Sequence, residues 1–147
     1  MRSKLLVLLG ATMLMLPVLS TAADEERSYT EGSVLDVTSV RTKPGMFDAY
    51  MHYLSTTFKP MMEDQKKAGL VLSYAVYAGS PKTPHEPDLY LVVEYKNMAA
   101  LDDLNAKTDP ITKKYFATLS ASNKATADRE SIREILGDEL IRELKLK

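Results

Sequence analysis

The chain has 147 residues, with 19 Lys and Arg against 20 Asp and Glu, a formal net charge of −1, 45% hydrophobic residues and no cysteine. With both charge signs interspersed, nothing in the balance favours a nucleic acid or an anionic membrane as partner. The lack of cysteine excludes disulfides, thiolate metal sites and a cysteine nucleophile, so packing must carry the stability.

The chain begins MRSKLLVLLGATMLMLPVLSTAA: Arg2 and Lys4, then an apolar run from Leu5 to Leu19, then small residues up to Ala23. That order is the one used by export signals. Pro17 and the acidic residues that follow argue against a stable span. Residues 1–23 are read as a signal peptide and 24–147 as a single domain, so the protein is expected to be exported, periplasmic or secreted, with no membrane attachment after cleavage. Removing 23 of the 147 residues leaves 124, and loss of Arg2 and Lys4 leaves 17 basic against 20 acidic residues, a net charge of −3. One core suits that length.

SVLDVTSVRT, residues 33–42, is rich in Val and Thr and predicts a first strand. Lys43-Pro44-Gly45 then punctuates the chain, and Phe47, Met51, Leu54, Phe58, Met61 or Met62, and Gln65 recur at helical spacing. Pro60 is expected to kink this helix near Thr56, and Gly69 to end it. LVLSYAVYAG (70–79) and DLYLVVEYK (88–96) predict two more strands. In an antiparallel pair, Leu89, Leu91, Val93 and Tyr95 share a face with Leu72, Tyr74 and Val76, which should meet helices. A helix capped by Asn97 follows, then another begun by Asp109-Pro110, then a helical piece over 128–136 ending at Gly137. ELIRELKLK predicts a fourth strand. Strand, helix, two strands, helices, strand is most simply folded as an α+β ferredoxin-like antiparallel sheet with its helices on one face.

SVRTKPGMFDAYMHYL, AGLVLSYAVYAG and DLYLVVEYKNMAALDD together resemble the dimeric α+β barrel superfamily, with its antibiotic-biosynthesis-monooxygenase-like and NIPSNAP-like domains. Lys43-Pro44-Gly45 and Tyr95-Lys96-Asn97 stand where those families place turns, and the likeness covers about residues 33–105. The resemblance implies a homodimer whose exposed sheet faces meet to close a barrel. Its haem-degrading members use Asn, His and Trp. This chain has no Trp, and His52 falls on the solvent side of the first helix, so that apparatus is not expected.

Taking Leu35 and Val37 to face the helices places Asp36 on the barrel side with Ser73, Tyr77, Tyr90 and Glu94. Two carboxylates and two phenols could bind a small polar ligand or abstract a proton. The same groups would serve equally as hydrogen-bond partners across a dimer seam, with Arg41 or Arg142. The barrel face is also expected to expose Val34, Val40, Val71, Ala75 and Val92, too apolar a set to remain wet. His52 reads as a solvated helix residue, and His85 as part of a surface loop with Glu86 and Asp88. The methionines at 46, 51, 61, 62 and 98 read as core filling rather than copper ligands.

No catalytic residue is assigned, and neither a metal nor a cofactor is expected. The expectation is a small-molecule-binding or interaction protein. The alternative is a cofactor-independent monooxygenase-like enzyme acting on a small organic substrate. Intact-mass measurement of protein recovered from the cell envelope or medium should show a chain beginning near Ala23 or Asp24; recovery of full-length chain from the cytoplasm alone would contradict export.

Overall fold

The computed structural model describes residues 26–147. The signal-peptide reading, residues 1–23, lies outside them. Four antiparallel strands, β1 (Tyr29–Thr42), β2 (Ser73–Ala78), β3 (Leu89–Tyr95) and β4 (Arg133–Leu146), form one sheet in the order β2-β3-β1-β4. Helices pack on one side of it. This is the ferredoxin-like α+β arrangement, with β1 in the interior and β4 at an edge.

The turn after β1 follows from its residues. Met46 donates its backbone N–H to the Lys43 carbonyl at 2.9 Å, and Gly45 has φ +75°. Pro44 supplies the fixed φ, and Gly45 the positive one, of a type II turn. It leads into α1 (Phe47–Tyr53), a π-helical turn (Leu54–Phe58) and α2 (Lys59–Lys67).

Tyr50, Leu54, Phe58 and Met62 are buried at intervals of four. On a regular α-helix each such step drifts about 40° around the axis. The wider π turn takes up the drift and keeps these side chains on the sheet. Pro60 is the second residue after it, and Thr56, which would have received the missing N–H, is exposed to solvent. At the far end, Leu70 N–H reaches the Gln65 carbonyl and Gly69 N–H the Lys66 carbonyl, both at 3.0 Å, with Gly69 at φ +72°. These are the two bonds of a Schellman stop.

The core joins Val40 and Leu89 from the sheet to Tyr50, Leu54, Phe58 and Met62, flanked by Tyr74, Val76, Leu91 and Val93. The face predicted for β2 and β3 is therefore the buried one, except at Leu72, which precedes β2 and is 47% exposed while Val71 beside it is buried. Tyr74 stands edge-on to Phe58, with ring centroids 6.0 Å apart, and donates its hydroxyl to Glu63 at 2.6 Å.

Three expectations need correction. Val34 and Val40 are fully buried against the helices and Val71 is 3% exposed, so none belongs to the open face. The paired register explains this: Val34 lies opposite Tyr95 and Val40 opposite Leu89, which puts the even-numbered residues of β1 on the helix side.

Next, residues 133–136, read as helical, open β4 instead. Their pairing with Thr42, Arg41 and Val40 outweighs a local helical pattern of one turn. Arg133, only 4% exposed, fixes this start by bonding Glu130 at 3.0 Å and lying 5.8 Å from the centre of the Tyr50 ring.

Lastly, Pro110 does not begin a helix but lies inside α3 (Leu104–Phe116). The segment capped by Asn97 is only a 3-10 turn, Met98–Leu101. A left-handed Asp103, φ 54°, separates the two.

α3 stacks on α2 and α4 (Leu119–Asp128) on α3, rather than crossing β1 and β4, with Lys114 and Tyr115 both bonded to Asp64. The helix-side surface of β4 consequently keeps Leu140 and Leu144 about half exposed.

Leu89, 1% exposed at the centre of the core, is the residue whose truncation should cost most. Leu89→Ala should lower unfolding stability by about 2–5 kcal/mol, read from urea denaturation with an unchanged m-value.

Candidate functional site

The side of the sheet away from the helices carries the odd-numbered residues of β1 (Ser33, Leu35, Val37 and Ser39), with Ser73, Ala75 and Tyr77 of β2 and Tyr90, Val92 and Glu94 of β3. β4 adds Glu139, Ile141 and Glu143. A concavity of about 350 Å³ lies on this face, bounded by Ser33, Leu35, Ser73, Ala75, Tyr77, Val92, Glu94 and Glu143. Its lining mixes Leu35, Ala75 and Val92 with hydroxyls and carboxylates, Glu94 standing between Ser73 and Leu35 across the sheet.

Of the five residues singled out from the sequence, Ser73, Tyr77 and Glu94 line this concavity. Tyr90 lies on the same face, directly opposite Tyr77. Asp36 does not join them. It pairs with Val93 and Leu140 on the helix side and borders a separate 250 Å³ cleft with Leu101, Asp138, Glu139 and Leu140. Sequence reasoning had Leu35 and Val37 facing the helices, and the register inverts that choice. It also missed Ser33 and Glu143. Alternation along β4 could have flagged Glu143, whereas Ser33 comes into place only through the β1 irregularity between Glu31 and Val34.

The electrostatics of the two carboxyls differ. Ser73 donates its hydroxyl to Glu94 at 2.6 Å, and with the Ser33 hydroxyl this holds the Glu94 carboxyl below its ordinary range. Hydrogen bonds to the charged form have that effect, so Glu94 stays an acceptor at neutral pH. Asp36 is pushed the other way, first by burial and then by the nearby Asp138.

A second concavity, about 310 Å³, lies farther along the same open face between Val37, Ser39, His85, Pro87 and the Leu136–Glu139 stretch. The loop that carries His85 is tied down on both sides. Arg41 donates to the Pro84 carbonyl and to Glu134, the latter at 2.8 Å, while Thr42 N–H reaches Asp88 at 3.0 Å and its hydroxyl reaches the same carboxylate. Glu86 accepts from the backbone N–H groups of Lys82 and Thr83 within its own turn. Asp88 and Glu86 are thus engaged in holding the loop. His52 is exposed on α1, away from either concavity, and its carbonyl accepts from Ser55 and Thr56. Among the methionines, Met62 is buried and Met51 and Met61 pack against the core, but Met46 and Met98 are exposed.

Among solved structures, the chain is similar to HapK from Hahella chejuensis, with 12% identity and a TM-score of 0.51, covering 75% of this chain and 91% of that one. It is also similar to protein SO0527 from Shewanella oneidensis, with 17% identity and a TM-score of 0.48, covering 80% and 96%. No family model and no curated protein matches the sequence. At these identities the likeness to HapK supports the α+β fold and carries no activity with it.

The raised carboxyl of Asp36 gives a signed prediction. Because its folded pKa lies above the unfolded value of about 4, its contribution to stability is complete below that pH and is lost as pH rises through the folded value. Asp36→Asn should therefore melt higher than the unmodified protein at pH 7, with the difference closing as pH approaches 4. A variant that is less stable at pH 7 would show that the Asp36 carboxylate has a stabilising partner.

Proposed function

We propose that the protein is an exported small-molecule-binding protein that works as a homodimer, with the open sheet face as its binding surface. The observation that carries this reading is the 350 Å³ concavity, where Leu35, Ala75 and Val92 lie side by side with Ser33, Ser73, Tyr77 and Glu94. An apolar bed with a few convergent polar groups is the usual composition of a ligand site. Glu94, held ionised by hydroxyl donors, suits a ligand that offers hydrogen-bond donors of its own. Tyr77, 58% exposed, offers a ring face to a flat molecule. Export is read from the N-terminal sequence. The homodimer rests on the resemblance to dimeric barrels and on the partly apolar open face, where Tyr77 and Ile141 are large and exposed.

The alternative is a cofactor-independent, monooxygenase-like enzyme. The feature that favours it is His85, which borders the second concavity above Val37. There an imidazole stands in one concavity with Ser39, Asp138 and Glu139, the residue types that general acid–base chemistry uses.

A panel of small aromatic and hydroxylated compounds, screened against mature protein by thermal shift and followed by mass spectrometry, tests both readings. The binding reading expects a saturable shift without conversion, weakened about tenfold or more by Glu94→Gln and left unchanged by Asp36→Asn. Binding indifferent to Glu94→Gln in a folded variant would remove this concavity as the site. Conversion of a bound compound, lost in His85→Ala, would select the enzyme.

A further inference from the structure

The polar side chains that border the Glu94 concavity offer a ligand acceptors almost without donors. Ser73 donates its hydroxyl to Glu94 at 2.6 Å and Ser33 donates to the same carboxylate, so both protons are in use and the two oxygens keep only lone pairs for a ligand. Glu143 adds a second carboxylate from β4. Its side chain lies against Gly32 of β1, where an added Cβ would overlap it, so the glycine makes room for the carboxylate. Tyr77 supplies the remaining hydroxyl of this lining.

Positive charge near these carboxylates is sparse. Lys145 lies 3.5 Å from Glu143 and near enough to Glu94 to favour its ionised form, but both side chains of the Lys145–Glu143 pair are well exposed, and such a pair contributes little. Arg41 and Lys43 are engaged by Glu134 at the other end of the face. Glu139 and His85 border the other concavity. Closing this face against that of a second copy, as the homodimer reading requires, takes Glu94 and Glu143 out of water. Ionised carboxylates in such a setting need partners of opposite charge.

We propose that this concavity takes an organic cation, an amine or guanidinium on an apolar body, with its charge at Glu94 and Glu143 and its body lying over Ala75 and Val92 towards Tyr77. The inference rests on the binding reading above and names its ligand class. Spacing within the sheet supports it. Glu94 stands opposite Ser73, and Tyr77 lies four residues further along β2, about 13 Å at the usual rise of a strand, with Ala75 opposite Val92 between them. Acceptors therefore occupy one end of the concavity and an aromatic ring the other, joined by small apolar side chains. A ligand charged at one end and apolar at the other covers all three. A bare ammonium would leave Val92 and the Tyr77 ring uncovered, and an anion would meet two carboxylates.

Phenylbutylamine, phenylbutanol and phenylbutyrate share one body and differ in the charge of the headgroup. Titrated calorimetrically against mature protein at neutral pH, the amine should bind about tenfold tighter than the alcohol, and the carboxylate weakest of the three. Glu94→Gln and Glu143→Gln should each narrow the gap between amine and alcohol, and the double variant should abolish it, with melting curves showing that each variant is folded. Benzylamine, too short to reach Tyr77 from the carboxylates, should bind more weakly than phenylbutylamine and be indifferent to Tyr77→Ala. An alcohol that binds as tightly as the amine, both weakened by Glu94→Gln, would overturn the cationic class and leave the binding face standing. A preference for the amine that persists unchanged in the folded double variant would remove this concavity as the site, and both readings with it. Absence of saturable amine binding would overturn the proposal whatever else the protein binds.

Discussion

The pairing of β1 with β3, Val34 opposite Tyr95 and Val40 opposite Leu89, is the constraint from which the other placements follow. A strand has two faces and a period of two, so a register fixed at its ends assigns every side chain between them. Once Val34 and Val40 are buried, Asp36 and Thr38 must also lie on the helix side, and Leu35, Val37 and Ser39 must line the open one. Asp36 is therefore carried to a half-buried position beside Asp138 by its neighbours in the strand. Its raised carboxyl is a by-product of that register, which the apolar pairs on either side are strong enough to hold.

The sequence was most legible where one residue type has only one structural use. Pro44-Gly45 can be read as a turn and Gly69 as a helix stop because few conformations suit them, and both have those roles. β3 was equally clear, since Leu89, Leu91, Val93 and Tyr95 repeat on one side without interruption. β1 was not. Val34 and Val40 compete with Leu35 and Val37 for the core, the strand being apolar on both sides, and only the partner strand decides between them. Residues 133–136 were misread for a related reason: a short run of Arg, Glu, Ile and Leu suits helix and strand alike, and its fate is settled by pairing with residues some ninety positions earlier. Ser73, Tyr77, Tyr90 and Glu94 were legible as a group because they depend only on the β2–β3 register.

The second crossover shapes the rest of the molecule. α3 turns away to stack on α2, carrying α4 with it and fastened by the Asp64 carboxylate, which Lys114 and Tyr115 hold below its usual range. The sheet is consequently well covered over β2 and β3 and thinly covered over β4. At one end of the open face the Arg41–Pro84 and Thr42–Asp88 contacts fasten the His85 loop against β1. The open face is thus bordered by a fixed loop at one end and by an uncovered strand along one side.

The ladder between β1 and β4 also has a kinetic consequence. Tyr29 pairs with Leu146, and the Lys147 N–H reaches the Ser28 carbonyl at 2.9 Å, so the strand that joins both halves of the sheet finds its second neighbour only at the far end of the described chain. Closing so long a loop is entropically costly and gains nothing until many pairs form together. The β2–β3 hairpin and the Tyr50–Met62 helix can assemble early from nearby residues, leaving β1 with one side satisfied and the other bare. Folding of this chain should accordingly be limited by the docking of its last fourteen-residue strand, and during that interval the unpaired side of β1 is the surface most exposed to mispairing.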